Sequence, residues 1–194
     1  MQKQTWSTNV NELPDSYVEK GFIDLKNDKR INLYIQFIFI LIAGLMVGLA
    51  IMFQFPIKND LETFQKIILT IGLVVIYMII HELTHGMFIK IFSKKNPKYC
   101  FRFPYLATGS KSYFNKKCFI VITLAPVVIW GLISIILINI LPNQYFLSMY
   151  VVIGLNFAGA AGDYIQVYAF LKLPSQALLQ DDGKQTRVYL PSSL

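Results

Sequence analysis

Three stretches of the sequence contain no Lys, Arg, Asp or Glu: Leu33 to Phe55, Cys118 to Leu141 and Tyr145 to Gly162. A core helix of a soluble domain rarely runs so far without a charge, whereas a helix crossing a bilayer needs roughly 20 predominantly apolar residues. These runs predict membrane spans, with the lipid bilayer as the solvent for most of the chain. A further run, Ile67 to Ile80, holds only 14 residues and cannot cross alone. It has to continue through His81-Glu82-Leu83-Thr84-His85-Gly86 into the apolar Met87 to Phe92. The result is a helix from about Phe64 to Phe92 that carries two histidines and a glutamate inside the membrane. An apolar content of 55% and a mean hydropathy of +0.49 exclude a disordered or collagen-like chain. The expected fold is an all-α membrane protein of four transmembrane helices with small cytoplasmic hairpins. The four-span unit covers 33–173, between an N-terminal arm, 1–32, and a C-terminal tail, 174–194.

The charge distribution orients these spans. Of the 18 Lys and Arg, five precede the first span, eight lie between the second and third, and three follow from Lys172 onward. Only Lys58 and Lys66 fall beside the turn between the first two spans, and the turn at Pro142 to Gln144 has none. The positive-inside rule then puts both termini in the cytoplasm of a multi-pass protein of the cell membrane. The formal charge of +7 is thus a topology signal, and nucleic acid is not expected as a partner. The first 30 residues are polar and the first apolar run is too long for a signal h-region, so the first span should be retained. Cys100 and Cys118 both fall on the cytoplasmic side, where thiols stay reduced, and their spacing fits no zinc pattern.

The connectors add less. The arm carries a turn signal at Leu13-Pro14-Asp15-Ser16 and reads as a segment on the membrane surface. Tyr99, Phe101, Phe103 and Tyr105 alternate with Cys100, Arg102 and Pro104, which suits a strand, with Ala107-Thr108-Gly109-Ser110 as the turn of a cytoplasmic hairpin. An amphipathic connector with interfacial aromatics fits the same pattern. As a strand, its free edge at Phe103 could receive an extended peptide substrate by backbone pairing. Pro126 should kink the third span. Asp182-Gly183 marks a small hairpin in the tail.

The chemistry lies in the second span. Residues four apart share a helix face, so His81 and His85 can direct two imidazoles at one ion while Glu82 stands beside the water bound to it. This is the H-E-x-x-H arrangement of zinc hydrolases, in which Zn²⁺ acidifies a water and the glutamate takes its proton. The chain has two histidines and both are in the motif. Chance would arrange them so on the order of once in several thousand shuffles. Ionisable groups at mid-membrane cost roughly 2.5–3.5 kcal/mol each on insertion scales, which argues against histidines without a role.

A catalytic zinc site takes three protein ligands and keeps an open position. Leu83 lies 17 residues after Lys66, and Asp163 lies 17 residues after Phe146, so two helices of the same direction carry both to a depth of roughly 25 Å. Asp163 is therefore the candidate third ligand. Asn156, Gly159 and Asp163 share a helical face, and Asn156 could bond substrate backbone or a ligand's outer shell.

The motif at 81–86, Leu124-Ala125-Pro126 in an uncharged third span, and Asn156 through Gly162-Asp163 together resemble the site-2 protease class of intramembrane metalloproteases. They resemble more closely a family of small bacterial membrane proteins described as zincin peptidases of unknown function, over nearly the whole chain from Leu13 to Leu190. That resemblance implies His81, His85 and Asp163 as zinc ligands and Glu82 as catalytic base. Tyr164 follows Asp163 where site-2 proteases usually carry glycine, and Gly162 precedes it. A metzincin would need a further histidine after His85, and prenyl-type membrane proteases need paired glutamates, so neither fits. The expected function is hydrolysis of a peptide bond in or near the bilayer by zinc-activated water. The competing class is a non-enzymatic metal-binding pseudoprotease that binds other membrane segments. Retention of Glu82, which metal binding alone does not require, favours the enzyme.

Overall fold

A computed structural model describes residues 11–25, 27–55, 62–102 and 105–193. Among the described residues, four helical segments are long and apolar enough to cross a membrane: Lys29–Met52, Thr63–Ser93, Lys116–Ile140 and Asn143–Leu171. Their ends follow local chemistry. The first helix, α1 (Lys29–Met52), starts at Asp28, whose carboxylate accepts from the amides of Arg30 and Ile31. The second, α2 (Thr63–Ser93), runs unbroken through the histidine motif and stops where Lys94 turns left-handed at φ 59°. The third, α3 (Lys116–Ile140), starts at Asn115, whose side chain accepts from the amide of Cys118, and contains Pro126.

The last membrane-length segment is not one continuous helix. It divides into α4 (Phe146–Gly159) and α5 (Ala161–Leu171), with the break at Ala160. The run Gly159-Ala160-Ala161-Gly162 holds two glycines, whose conformational freedom weakens a helix, and no large side chain to hold it straight. The break places Asp163 in the first turn of a new helix, where the exposed amide ends favour a carboxylate.

Outside the helices the all-α expectation needs correction. Strand β1 (Tyr17–Ile23) pairs antiparallel with β6 (Thr186–Pro191), β6 with β5 (Leu178–Asp181), and β5 with the short β4 (Phe114–Asn115). The two chain ends thus build one four-stranded sheet of order β1-β6-β5-β4. The arm and the tail are joined by backbone bonds from Tyr17↔Pro191 to Ile23↔Thr186. Neither end can satisfy a strand edge alone, and the separation in sequence hid the pairing. The hairpin turn in the tail does fall at Gly183, with φ 81°.

The second expected hairpin is present with a different register. Strand β2 (Lys98–Arg102) pairs with β3 (Tyr105–Gly109) from Lys98↔Gly109 to Arg102↔Tyr105. Ala107 and Thr108 are therefore paired strand residues rather than the turn, opposite Cys100 and Tyr99. Strand β2 ends at Arg102 and β3 begins at Tyr105. Phe103 itself lies outside the described residues.

The packed core sits at the junction of the helix ends and the sheet. Ile89 of α2, Phe119 and Ile122 of α3, Phe170 of α5, and Phe114, Leu179 and Val188 of the strands form one buried cluster. The Phe119 and Phe170 rings meet edge-on at 4.9 Å. The Lys116 ammonium closes the same corner by donating to the carbonyls of Leu171 and Leu173 at the end of α5. Helix α2 packs on α3 and α4, and α1 packs on α4 and α5. The outer faces of α1 and α2 expose rows of Ile, Leu, Phe and Val, the surface that a helix turns toward lipid.

Candidate metal centre

His81 and His85 project from one face of α2 toward the first turn of α5. There His81 Nε2 lies 3.5 Å from Asp163 Oδ2 and His85 Nε2 lies 3.8 Å from Asp163 Oδ1. One ligand atom from each of the three residues falls within 4.8 Å of the other two. All three side chains are largely enclosed, at 13% exposure for the histidines and 18% for Asp163. Two imidazoles and a carboxylate brought this close suit a zinc ion, which in catalytic sites takes three protein ligands and a water or substrate.

Each ring is held from behind. His81 Nδ1 is 2.9 Å from the Tyr77 hydroxyl, which donates to Asn156 Oδ1 at 3.0 Å, and Asn156 Nδ2 donates to the Val127 carbonyl at 3.0 Å. His85 Nδ1 is 2.9 Å from the Ile122 carbonyl. Asn156 is completely buried, and its amide is committed to Tyr77 and Val127. Gly131 permits this approach, since a Cβ there would lie 3.0 Å from Asn156 Nδ2.

Glu82 stands beside the pair and is tied to the β2–β3 hairpin. The Thr108 hydroxyl lies 2.8 Å from Glu82 Oε2 and 3.1 Å from the Glu82 carbonyl, both acceptors. The hairpin can come this close to α2 because Gly86 has no side chain: a Cβ there would collide with the Tyr99 hydroxyl and ring. Thr84 faces the other way. It bonds back to the Ile80 carbonyl and accepts from Trp130 Nε1 at 2.8 Å, which fixes α2 against α3.

Two cavities meet at this point. One of about 250 Å³ is lined by Val74, Tyr77, Met78, His81, Leu155 and Gly159 on the apolar flank of α2 and α4. The other, of about 200 Å³, lies under the sheet and is lined by His85, Asp163, Gln166, Asp181 and Thr186 among others. Glu82 and Leu106 line both. In the second cavity the Asp181 carboxylate accepts from the Gly183 amide at 2.7 Å and the Thr186 hydroxyl at 2.8 Å. Burial nevertheless pushes its pKa up from 3.8 to about 6, because these two bonds offset only part of the desolvation.

The structure thus brings His81, His85, Asp163, Glu82 and Asn156 together. Tyr77, Thr108, Pro126 and Asp181 were not anticipated in the site. Tyr77 had a signal, since it lies four residues before His81 on the same helix face. Pro126 had one too, since a proline frees the carbonyl four residues earlier, here Ile122. Thr108 and Asp181 come from strands whose register the sequence does not set.

A helix of membrane-crossing length with an H-E-x-x-H face, completed by a carboxylate from a neighbouring helix, defines the zincin class of site. The sequence profile of the family described as "Putative zincin peptidase" matches residues 73–178, and the chain belongs to that family. The matched stretch contains all three candidate ligands and Glu82, and it ends before β6. No curated protein and no solved structure matches the chain.

Proposed function

We propose that this protein is an intramembrane zinc metallopeptidase of the site-2-protease type, resident in the cell membrane with both termini cytoplasmic. The observation that carries the reading is the meeting of His81, His85 and Asp163 beside Glu82, between an apolar cavity and one of mixed lining that several polar side chains enter. When bound there, Zn²⁺ would polarise a scissile carbonyl and acidify a water molecule. His81, His85 and Asp163 would hold it. Glu82 takes the proton of the attacking water and passes it to the leaving amine, a role for which a fixed carboxylate between the two cavities is suited. Thr108 holds that carboxylate in place through Oε2.

The apolar cavity along α2 and α4 suits a substrate segment arriving from the lipid, and the polar side chains of the cavity under the sheet suit the water that hydrolysis consumes. Strand β3 has β2 as its strand neighbour on one side, and its Leu106, Ala107 and Thr108 line the cavity under the sheet. An unwound peptide that pairs with β3 would lie extended beside Glu82, which matters because the carbonyls of an intact helix are shielded from attack. Asn156 acts behind His81, the role that its two bonds support over contact with substrate.

The test compares membrane proteomes of cells making the wild-type protein or Glu82→Gln, with equal zinc content established first. Fragments of at least one membrane protein should appear with the wild type alone. Identical fragment patterns would instead support a metal-binding protein without peptidase activity.

A further inference from the structure

The hydrogen bonds behind the two histidines have a fixed direction, and α3 fixes it. The Val127 carbonyl can only accept, so the Asn156 atom facing it must be Nδ2, which leaves Oδ1 toward Tyr77. An amide oxygen also only accepts, so the phenol proton goes to Asn156 and the phenol oxygen is left to accept from His81 Nδ1. His85 Nδ1 faces the Ile122 carbonyl, again an obligate acceptor. Both rings therefore carry their proton on Nδ1 and present a bare Nε2 toward Asp163. Free imidazole side chains prefer the opposite form, with the proton on Nε2.

The two acceptors that impose this, the Ile122 and Val127 carbonyls, lie on α3 on either side of Pro126. In a regular helix the Ile122 carbonyl would receive the amide of residue 126. Proline has no amide hydrogen, so this carbonyl has no helical donor at that position. We propose that Pro126 is a positioning residue for metal binding, which withdraws the helix donor from Ile122 so that the carbonyl orients His85. Tyr77 and Asn156 are its counterparts for His81. This inference rests on the reading of His81, His85 and Asp163 as a metal centre, and it assigns the third span a task beyond the kink that a proline implies.

The experiment uses the purified full chain, with zinc affinity measured by competition against a chromogenic chelator. Tyr77→Phe, which removes one oxygen, and Pro126→Ala should each weaken zinc binding by roughly 10–100-fold, the usual effect of removing a partner that orients a metal ligand. Pro126→Ala restores a helix amide and removes a ring clash, so the unfolding temperature of the zinc-free protein should hold or rise while affinity falls. A proline that serves only to shape the helix would move stability without this opposite change in affinity.

A second readout uses the fact that the chain has just two histidines. Zinc-loaded protein labelled with ¹⁵N-histidine should show two protected Nδ1–H resonances. Tyr77→Phe should expose only that of His81 to solvent exchange, and Pro126→Ala should perturb only that of His85. Variants that bind zinc as the wild type does, with both resonances unchanged, would overturn the inference and leave the metal centre standing. A wild-type protein with no zinc affinity would overturn both. Should Pro126→Ala fail to fold, Pro126→Val, which restores the same amide at nearly the same volume, decides by the same criteria.

Discussion

Asp181 offers the most quantitative test of how the sheet closes over the cavity beneath it. Asp181 is half-buried at the tip of the β5–β6 hairpin, and its backbone carbonyl accepts from the Ser110 amide at 2.6 Å, which latches that tip to the end of β3. Burial raises the folded-state pKa from 3.8 to about 6. Between those values the folded chain keeps a proton that the unfolded chain has released. Stability is therefore highest below the unfolded value and falls as pH rises through the folded one. A shift of about two pKa units amounts to about 3 kcal/mol lost by neutral pH, at 1.36 kcal/mol per unit. Asp181→Asn removes the ionisation, keeps an oxygen for the Gly183 amide and loses the bond donated by Thr186, at a cost of about 1 kcal/mol. The variant should thus be about 2 kcal/mol more stable than the wild type at pH 7.5, on the order of 5 °C in unfolding temperature, and only about 0.6 kcal/mol more stable at pH 5, where much of the wild-type carboxyl is still protonated in the folded chain. Thermal unfolding of both proteins in detergent with chelator, from pH 5 to 7.5, measures the difference while common titrations cancel. A difference between the two that stays constant with pH would refute the argument that desolvation holds this carboxyl protonated above its ordinary range.

Glu82→Gln should retain zinc and lose turnover by at least the 10²–10⁴ typical of general-base removal, read on any substrate that the proteome comparison identifies. Thr108→Val should leave zinc content unchanged and lower turnover by roughly 10-fold or more through the loss of one bond to a charged acceptor, and Thr108→Ser should restore it. Reporter fusions should place both termini in the cytoplasm, and an external C-terminus would contradict the orientation. Phe103→Pro should harm cleavage more than Phe103→Ala at equal zinc content if a substrate strand pairs with this hairpin, whereas equal effects would favour an interfacial anchor.

What could be read in advance follows the range of the interactions. The membrane-length helices and the placement of His81 and His85 on one face, with Glu82 beside them, depend on composition and a 3.6-residue period, both local properties. The juxtaposition of Asp163 with the histidines was legible as a depth match, because helices crossing the same slab count residues from a common surface. The break at Ala160 was not, since Gly159 and Gly162 permit a bend without requiring one. The pairing of β1 with β6 joins residues more than 160 apart and left no period that a single strand reveals. Thr108 was assigned to a turn because Gly109 and Ser110 follow it, yet the ladder with Tyr99 makes it a strand residue that meets Glu82. The role of the Ile122 carbonyl is a backbone property, visible only as the position four residues before Pro126.

The central claim is that His81, His85 and Asp163 hold one zinc ion, and elemental analysis of the purified chain addresses it most directly. The account predicts about one Zn²⁺ per chain in the wild type and in Glu82→Gln, essentially none in His81→Ala or His85→Ala, and a weakened, partial content in Asp163→Ala. A wild-type protein free of zinc, or full occupancy in the histidine variants, would contradict it.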